Sequence, residues 1–347
     1  MSNHEHVCKL MLPLIGVTMG DPAGVGPEVV LKAADTAPRP CRLVVVGDMN
    51  TLSETARRLG SRLTPVSWRP GTEYPPEAHL LPVLSVSQLP EESRLPGRPT
   101  PAGGEASYQY VTTGTRLTLG GTFQGLVTAP VSKAMWHAAG RDYPGHTELL
   151  AALTHTPDVR MMLAGSRLRV ILVTTHLALS RVPAALSRER IFRTVVLAAA
   201  HLSRFHGLPR PRLAVAGLNP HAGEAGAFGD EDERIIAPAV RQAQSQGLLT
   251  HGPFPADSLF VRAVRGEFDG VVCLYHDQGL IPLKLLCWEE GVNVTIGLPI
   301  VRTSPDHGTA FDIAGRGRAD PRSLGAAVAL AAEMTRNRST DESSHLS

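Results

Sequence analysis

Three short apolar runs in this chain each end in a histidine, and no other feature limits the possible folds so much. GVVCLYHDQGLIPLK, Gly270 to Lys284, passes from an apolar run into His276, Asp277 and then Lys284. RVILVTTH closes on His176, and PRLAVAGLNPHAGE runs through Asn219 to His221 and Glu224. Runs this short, rich in β-branched residues and followed by turn residues, read as buried strands. They alternate with stretches of helical spacing, which predicts an α/β fold. In open α/β sheets ligands sit beyond the carboxyl ends of strands, so polar groups there are candidates for a site. Imidazoles suit zinc and similar divalent ions, which in catalytic sites take about three protein groups and keep one position open. One such histidine alone reads as a hydrogen-bonded strand end; three, with Asp277 beside one of them, point to a metal.

At 347 residues, 43% hydrophobic and 19% charged, the chain is long enough for two domains with large cores. A formal net charge of +2 is too small for a nucleic-acid surface, and no helix carries a dense basic stripe. Cys8, Cys41, Cys273 and Cys287 are scattered without a C-x-x-C pair, which suggests neither a thiolate zinc site nor a disulfide framework and fits a reducing cytoplasm. The N-terminus lacks the basic start of a signal peptide, and no apolar run approaches a membrane span.

Taken in order, Leu14 to Met19 is a strand, followed by GDPAGVGPE, Gly20 to Glu28, and a helix-spaced stretch. Gly24 and Gly26 would let backbone amides face an anion, although glycines also punctuate ordinary βα turns. The G-x-G-x-x-G dinucleotide spacing is absent. Arg42 to Gly47 is the next strand, and Asn50 caps a helix to Leu59. Residues 62–101 are irregular, with one apolar piece, HLLPVLSV. Gly125 to Val131 is a strand, with Ser132 capping the helix after it. In DYPGHTELLAALT, Thr147 is a helix cap, so that a loop presents His146; the plain alternative is a cap and a surface histidine. Ser187 to His206 is a long helix. The acids from Asp230 read as a helix start, and Asp257 as a helix cap unless it lies near the histidines.

Asn293 to Asp320 packs Arg302, Asp306, His307, Asp312 and two glycine-rich turns into one stretch. Arg302 offers a planar fork that suits phosphate or carboxylate. The run from Asp306 to Gly317 has the glycines for a loop around an adenine or a pyrophosphate. Pro321 to Arg336 is a closing helix, and the polar tail Asn337 to Ser347 is expected to be disordered.

Through GDPAGVGPE, YPGHTELLA, TTHLAL, GLNPHAGEAGAFGDED, GPFPADSLF, YHDQGLIPLK, GVNVTIGLP and RTSPDHGTAFDIAGRGRAD, the chain resembles the 4-hydroxythreonine-4-phosphate dehydrogenase family of vitamin B6 biosynthesis. The resemblance includes the branch that acts on 4-phospho-D-threonate or 4-phospho-D-erythronate, and runs from about Leu14 to Met334. GDPAGVGPE and DHGTAFDIAGRG are more distantly similar to dehydrogenases of the isocitrate and isopropylmalate type, which bind NAD without a Rossmann fingerprint. The fold this implies is a two-domain α/β/α sandwich with its active site in the interdomain cleft. Residues 1–135 with 305–347 would form the cofactor-side domain, and 136–304 the metal-binding, substrate-binding and dimerising domain.

The resemblance implies that His176, His221 and His276 bind one divalent ion, zinc, magnesium, manganese or cobalt. It implies that His146, Thr147, Lys284, Asn293 and Arg302 hold a phosphorylated substrate. Asp277, Asp257 and Lys284 match catalytic positions, with Asp277 or a water it orients as the base. NAD, with NADP as the alternative, would sit on Asp306, His307, Gly308, Asp312 and Gly315. A cytoplasmic homodimer whose metal site takes histidines from both subunits is also implied, with no nucleic acid or membrane as partner. The reaction would be oxidation and decarboxylation of 4-phosphooxy-L-threonine to 3-amino-2-oxopropyl phosphate. The alternative is the same chemistry on 4-phospho-D-threonate or 4-phospho-D-erythronate to dihydroxyacetone phosphate, towards which YPGHTE, PLKLL and DIAGRG lean. Two rival classes remain: a metal-dependent hydrolase or lyase, which has no use for the loop after Asp306, and a silent binding protein, which has no reason to keep every metal and phosphate position.

Overall fold

The structure, a computed structural model, describes residues 12–35 and 40–344, with side chains as far as Arg338. The stretch weighed above as a signal peptide, with Cys8 in it, lies outside the described residues. Twelve strands make one sheet: β1 (Leu14–Thr18), β2 (Arg42–Asp48), β3 (Thr64–Ser67), β4 (Leu80–Ser87), β5 (Gly125–Thr128), β6 (Arg160–Ala164), β7 (Arg169–Leu172), β8 (Leu213–Ala216), β9 (Thr250–Phe254), β10 (Gly270–Cys273), β11 (Val292–Ile296) and β12 (Val301–Pro305). Their order across the sheet is β3-β4-β2-β1-β5-β12-β11-β6-β7-β10-β8-β9. The helices are α1 (Gly26–Ala34), α2 (Met49–Leu59), α3 (Pro101–Leu119), α4 (Lys133–Ala138), α5 (His146–Leu153), α6 (Val182–Ala185), α7 (Arg188–His206), α8 (Ala237–Ser245), α9 (Ala256–Val264), α10 (His276–Cys287) and α11 (Arg322–Ser344).

From β3 to β12 every pairing is parallel, and so is every pairing from β7 to β9. Between them β12-β11, β11-β6 and β6-β7 are antiparallel. Three reversals make the two parallel blocks run in opposite directions, so their carboxyl ends open at opposite edges of the sheet. The expectation of a site beyond the carboxyl ends of parallel strands is therefore replaced by a groove that crosses the face of the antiparallel centre.

Alternation along the strands explains why that face is open. Val292, Val294 and Met162 point to one side and are buried under α7 and α11 in a core that takes in Val195, Leu202, Ala327 and Ala331. On the other side, α3, α4 and α5 cover one end of the sheet around Leu126, Trp136, Leu149 and Leu150. Helices α9 and α10 cover the other end around Leu163, Leu172, Val271 and Leu283. The strip between these two cores carries Arg302, Ser304, Asn293 and Met161, and no helix lies over it.

Local sequence sets most element ends. Ser132 caps α4 as expected, and Ser187, read as the first residue of its helix, caps α7, each through a side-chain bond to the third residue on. Asp48, in place of Asn50, caps α2, accepting from the Thr51 amide at 2.9 Å. Helix α5 begins two residues earlier than expected: Gly145 is its N-cap, and Thr147 lies in its first turn and lines the groove. The tail expected to be disordered continues α11 to Ser344, and its last three residues lie outside the described residues.

Candidate active site

The groove encloses about 1100 Å³ and is lined by His146, Thr147, His176, His276, Lys284, Asn293, Arg302, Asp306, His307 and Gly308, so ten of the residues singled out in the sequence converge there. Its polar floor starts at Arg302, which is 2% exposed on β12. The guanidinium donates to Thr128 Oγ1 at 2.7 and 3.2 Å and to Thr295 Oγ1 at 2.8 Å. Neither partner is charged. Burial pulls the Arg302 pKa down to about 9, opposed only by the distant pull of Glu148. A buried cation without a counter-charge costs several kcal/mol, on the order of the penalty for an ion taken out of water, so the groove is built to receive an anion. Beside it, His146 Nε2 and Asn293 Oδ1 are shut from solvent with no hydrogen-bond partner among the described residues. The His146 ring stands edge-on to Trp136, with centroids 5.7 Å apart. Burial, then the charges of Arg302 and Lys133, hold its pKa well below the ordinary value, so the ring is neutral.

At the other end of the groove the rings of His176 and His276 are 5.6 Å apart. Loss of solvation, with Lys133 and His276 adding to it, lowers the His176 pKa and keeps a lone pair available. His276 opens α10, and its Nδ1 donates to Asp277 Oδ1 at 2.7 Å, which fixes the ring and leaves Nε2 free. Lys284 stands between the groove and a second cavity, 3.3 Å from Asp306 and 5.4 Å from the centre of the Trp288 ring. The second cavity, about 300 Å³, has apolar walls of Val25, Val29, Ala310 and Ile313 and shares Lys284, Asp306 and His307 with the groove.

Four residues stand apart. His221 and Asp257 are exposed and line neither cavity; Asp257 instead accepts from the Ser258 amide. Asp312 is exposed, also away from both cavities, and Gly315, with φ +73°, packs near Pro96 and Arg58 as a turn residue. Among the described residues no group of three His, Cys, Asp or Glu side chains comes together as a metal site. His176 and His276 therefore share one groove, and His221 is the histidine left out.

The loop that carries His221 is nevertheless specialised. Residues 221–225 all have positive φ, from 44° to 86°, a left-handed turn in which only Gly223 is a glycine. Each non-glycine residue there costs about 1–2 kcal/mol. Buried Asp232 holds the loop by accepting from the Leu218 and Asn219 amides at 2.8 and 3.0 Å. The acid read as a helix start is thus a clamp on the His221 loop.

Sequence reading also passed over Gln278 and Glu28. Gln278 accepts from the Leu274 amide and donates to Gly217 O, tying the ends of β10 and β8. Glu28, 1% exposed, accepts from the amides of Gly317 and Ala319 and from Lys32, which itself bonds both carbonyls. Glycine at 24 allows the closest approach, since a Cβ there would lie 3.0 Å from Thr309 O. GDPAGVGPE is therefore the seat of the 306–317 loop, and no signal in a single sequence joins two stretches so far apart.

Residues 39–331 match the family model described as pyridoxal phosphate biosynthetic protein PdxA. A 4-hydroxythreonine-4-phosphate dehydrogenase of Desulforapulum autotrophicum is 48% identical over 92% of this chain and 95% of its own length. The D-threonate 4-phosphate dehydrogenase of Salmonella typhimurium is 44% identical over 92% and 98%. The crystal structure of a 4-hydroxythreonine-4-phosphate dehydrogenase from Klebsiella pneumoniae superposes with a TM-score of 0.87 at 41% identity, covering 94% of this chain and 99% of that one. The chain belongs to the PdxA family and is an oxidoreductase, a dehydrogenase of that family.

Proposed function

We propose that the protein oxidises a 4-phosphorylated 3-hydroxy acid with NAD and one divalent metal ion, and that the product loses carbon dioxide. The first substrate is 4-phosphooxy-L-threonine, giving 3-amino-2-oxopropyl phosphate, carbon dioxide and NADH, as the name of the 48%-identical relative suggests. The second reading, 4-phospho-D-threonate or 4-phospho-D-erythronate to dihydroxyacetone phosphate, is favoured by the relative named for D-threonate 4-phosphate. The observation that carries the proposal is Arg302, a buried guanidinium with only threonine hydroxyls around it.

Arg302 receives an oxyanion of the substrate with its remaining N–H groups. His146 Nε2 and Asn293 Oδ1, buried and otherwise without partners, orient the substrate's polar groups, and Thr147 adds a hydroxyl from the first turn of α5. Lys284 neutralises a second anionic group from the opposite wall. His176 and His276 are fit donors for a divalent ion, and Asp277 fixes the tautomer of His276. When bound, such an ion lowers the pKa of the substrate hydroxyl and stabilises the negative charge left as carbon dioxide departs. The second oxygen of Asp277 orients a water that accepts the hydroxyl proton. The dinucleotide lies across Asp306, His307 and Gly308 into the smaller cavity.

We place His221 and Asp257 in the neighbouring subunit's site. Leu179, Phe228, Val261, Ile281, Leu285 and Trp288 are large apolar residues 51–82% exposed, on the segments that carry His176, His221, Asp257 and His276. A homodimer packed through this surface would cover them and bring the strained His221 loop to its neighbour's groove. The function is tested by following NAD reduction with 4-phosphorylated hydroxy acids, with and without the amino group, and with and without chelator. Chelator-sensitive reduction with at least one of them is expected; none with any of them would refute the proposal.

A further inference from the structure

We propose, on the function given above, that Arg190 is a further substrate-binding residue and sets specificity by charge: it receives the substrate's second anionic group and disfavours a substrate with an ammonium beside the reacting hydroxyl. Arg190 lines the groove, and its Nε donates to Val173 O at 3.0 Å, three residues before His176. That bond fixes the plane of the guanidinium and leaves Nη1 and Nη2 without a partner among the described residues. The place is a poor one for a cation. Arg190 is the third residue of α7, where positive charge opposes the helix dipole. Arg160 stands on the same groove wall, joined to it through Thr194, whose hydroxyl accepts from Arg160 Nε at 2.9 Å and donates to Arg190 O at 2.8 Å. The carboxylate on that side, Asp158, is held by Arg160 at 2.5 Å and by Arg193 at 2.6 Å. Burial, then the charge of Arg160, pulls the Arg190 pKa down, opposed only by Asp158. Arg190 thus repeats, in a more open position, the condition of Arg302: a guanidinium facing the groove with no carboxylate bonded to it among the described residues. An incoming anion stabilises such a group.

The other charges on the groove wall already face one another. Lys284 shares its charge with Asp306 at 3.3 Å, so it does not neutralise a second anionic group alone. Glu148 stands beside Lys133: a Cβ on residue 145 would lie 3.5 Å from Glu148 Oε2 and 3.8 Å from Lys133 Nζ. Asp277 does not line the groove, and its Oδ1 holds His276. A substrate ammonium would therefore meet Arg190 and Arg302, and every carboxylate of this chain on the wall already faces a cation; a hydroxyl in its place brings no charge. 4-Phospho-D-threonate and 4-phosphooxy-L-threonine have the same configuration at both carbons and differ only in that group.

The test compares kcat/KM for these two compounds with the full-length protein. The threonate is expected to be at least about tenfold better, the size of effect that one juxtaposed like charge commonly exceeds. Arg190→Gln is expected to lower kcat/KM about tenfold for the threonate, through KM, and about threefold or less for the amino compound, so that most of the preference is lost. Arg190→Lys keeps the charge without the fork and is expected to retain most of the preference with a weaker KM. A merely structural role would lower both substrates alike and leave their ratio unmoved. Arg188→Gln is the control: Arg188 does not line the groove, its Nε donates to Gln242 Oε1, and both values are expected to stay as in the wild type. Three results would each overturn the proposal: a wild type that prefers the amino compound or treats both alike, an unchanged ratio in Arg190→Gln, or an equal shift in Arg188→Gln. NAD reduction with neither compound would instead remove the function on which the proposal rests, and the proposal with it.

Discussion

At one end of the groove Arg302, Thr128 and Thr295 are buried and, with His146 Nε2 and Asn293 Oδ1, which are closed off from solvent, all come from one chain. At the other end His176 is exposed, His276 is partly exposed, and the third histidine of the motif set, His221, stands outside on a strained loop. The end proposed to hold an anion is complete in one chain. The proposed metal end is not, and exposed apolar residues surround its missing part. On the function proposed above, substrate recognition would depend on the fold of each chain, and chemistry on assembly.

The largest effects should come from the incomplete end. His276→Ala and His176→Ala are expected to lose turnover to background and to lose bound metal, because a three-ligand site reduced to two loses much of its affinity. Bound-metal analysis beside a steady-state assay checks this, and full metal content with normal turnover in both variants would remove them from the site. At the complete end, Arg302→Lys should weaken substrate binding by about 1.5–3 kcal/mol, the range for charge-assisted hydrogen bonds, and leave dinucleotide affinity alone. Substrate and dinucleotide titrations of that variant separate the two ends.

His201 and His206 sharpen the comparison from outside the site. They are buried on α7, and His201 Nε2 and both ring nitrogens of His206 have no hydrogen-bond partner among the described residues, like His146 Nε2, but they do not line the groove. Burial lowers their pKa values to about 3 and about 4. The unfolded chain therefore takes up protons before the folded one, and the stability they allow is present above about pH 6.5 and is lost as pH falls towards those values. The expected loss between pH 7 and pH 5 is about 2 kcal/mol for each. Urea unfolding at the two pH values should show this loss shrinking when both are replaced by Gln, with substrate affinity at pH 7 unchanged. The smallest effect is expected from Glu28→Gln, which loosens the seat of the 306–317 loop. It should weaken dinucleotide binding about threefold to tenfold without altering substrate binding, consistent with roughly 1 kcal/mol for one hydrogen-bond group.

The helix and strand alternation was legible because apolar runs and caps are local, and Ser132 caps where its spacing says. The antiparallel centre was not, because RMMLA at β6 and VRTSP at β12 carry no sign of which neighbour they pair with or in which direction. That missing direction moved the site from strand ends to the sheet face. Arg302 was singled out by its chemistry and by the family motifs, His146 by its loop and the motifs, and Asn293 by the motifs alone; the structure puts all three on one groove, where Arg302 has hydroxyl partners and no charged one. Thr147 was read as a cap because hydroxyl residues before a helix usually are, but Gly145 takes the N-cap position of α5 itself. Asp232 and Glu28 were missed because their partners, Leu218 and Asn219 in one case and Gly317 and Ala319 in the other, are joined to them only by the fold.

The most direct test of a site completed by the neighbouring chain is subunit mixing. His221→Ala and His276→Ala proteins, each inactive alone, are exchanged under conditions where reassortment is verified by mass. A mixed dimer has one site with both defects and one with none. Random exchange makes about half the dimers mixed, so roughly a quarter of wild-type activity should return if the sites act independently. No recovery after verified exchange would mean that His221 serves its own chain, and the account of a shared site would be wrong.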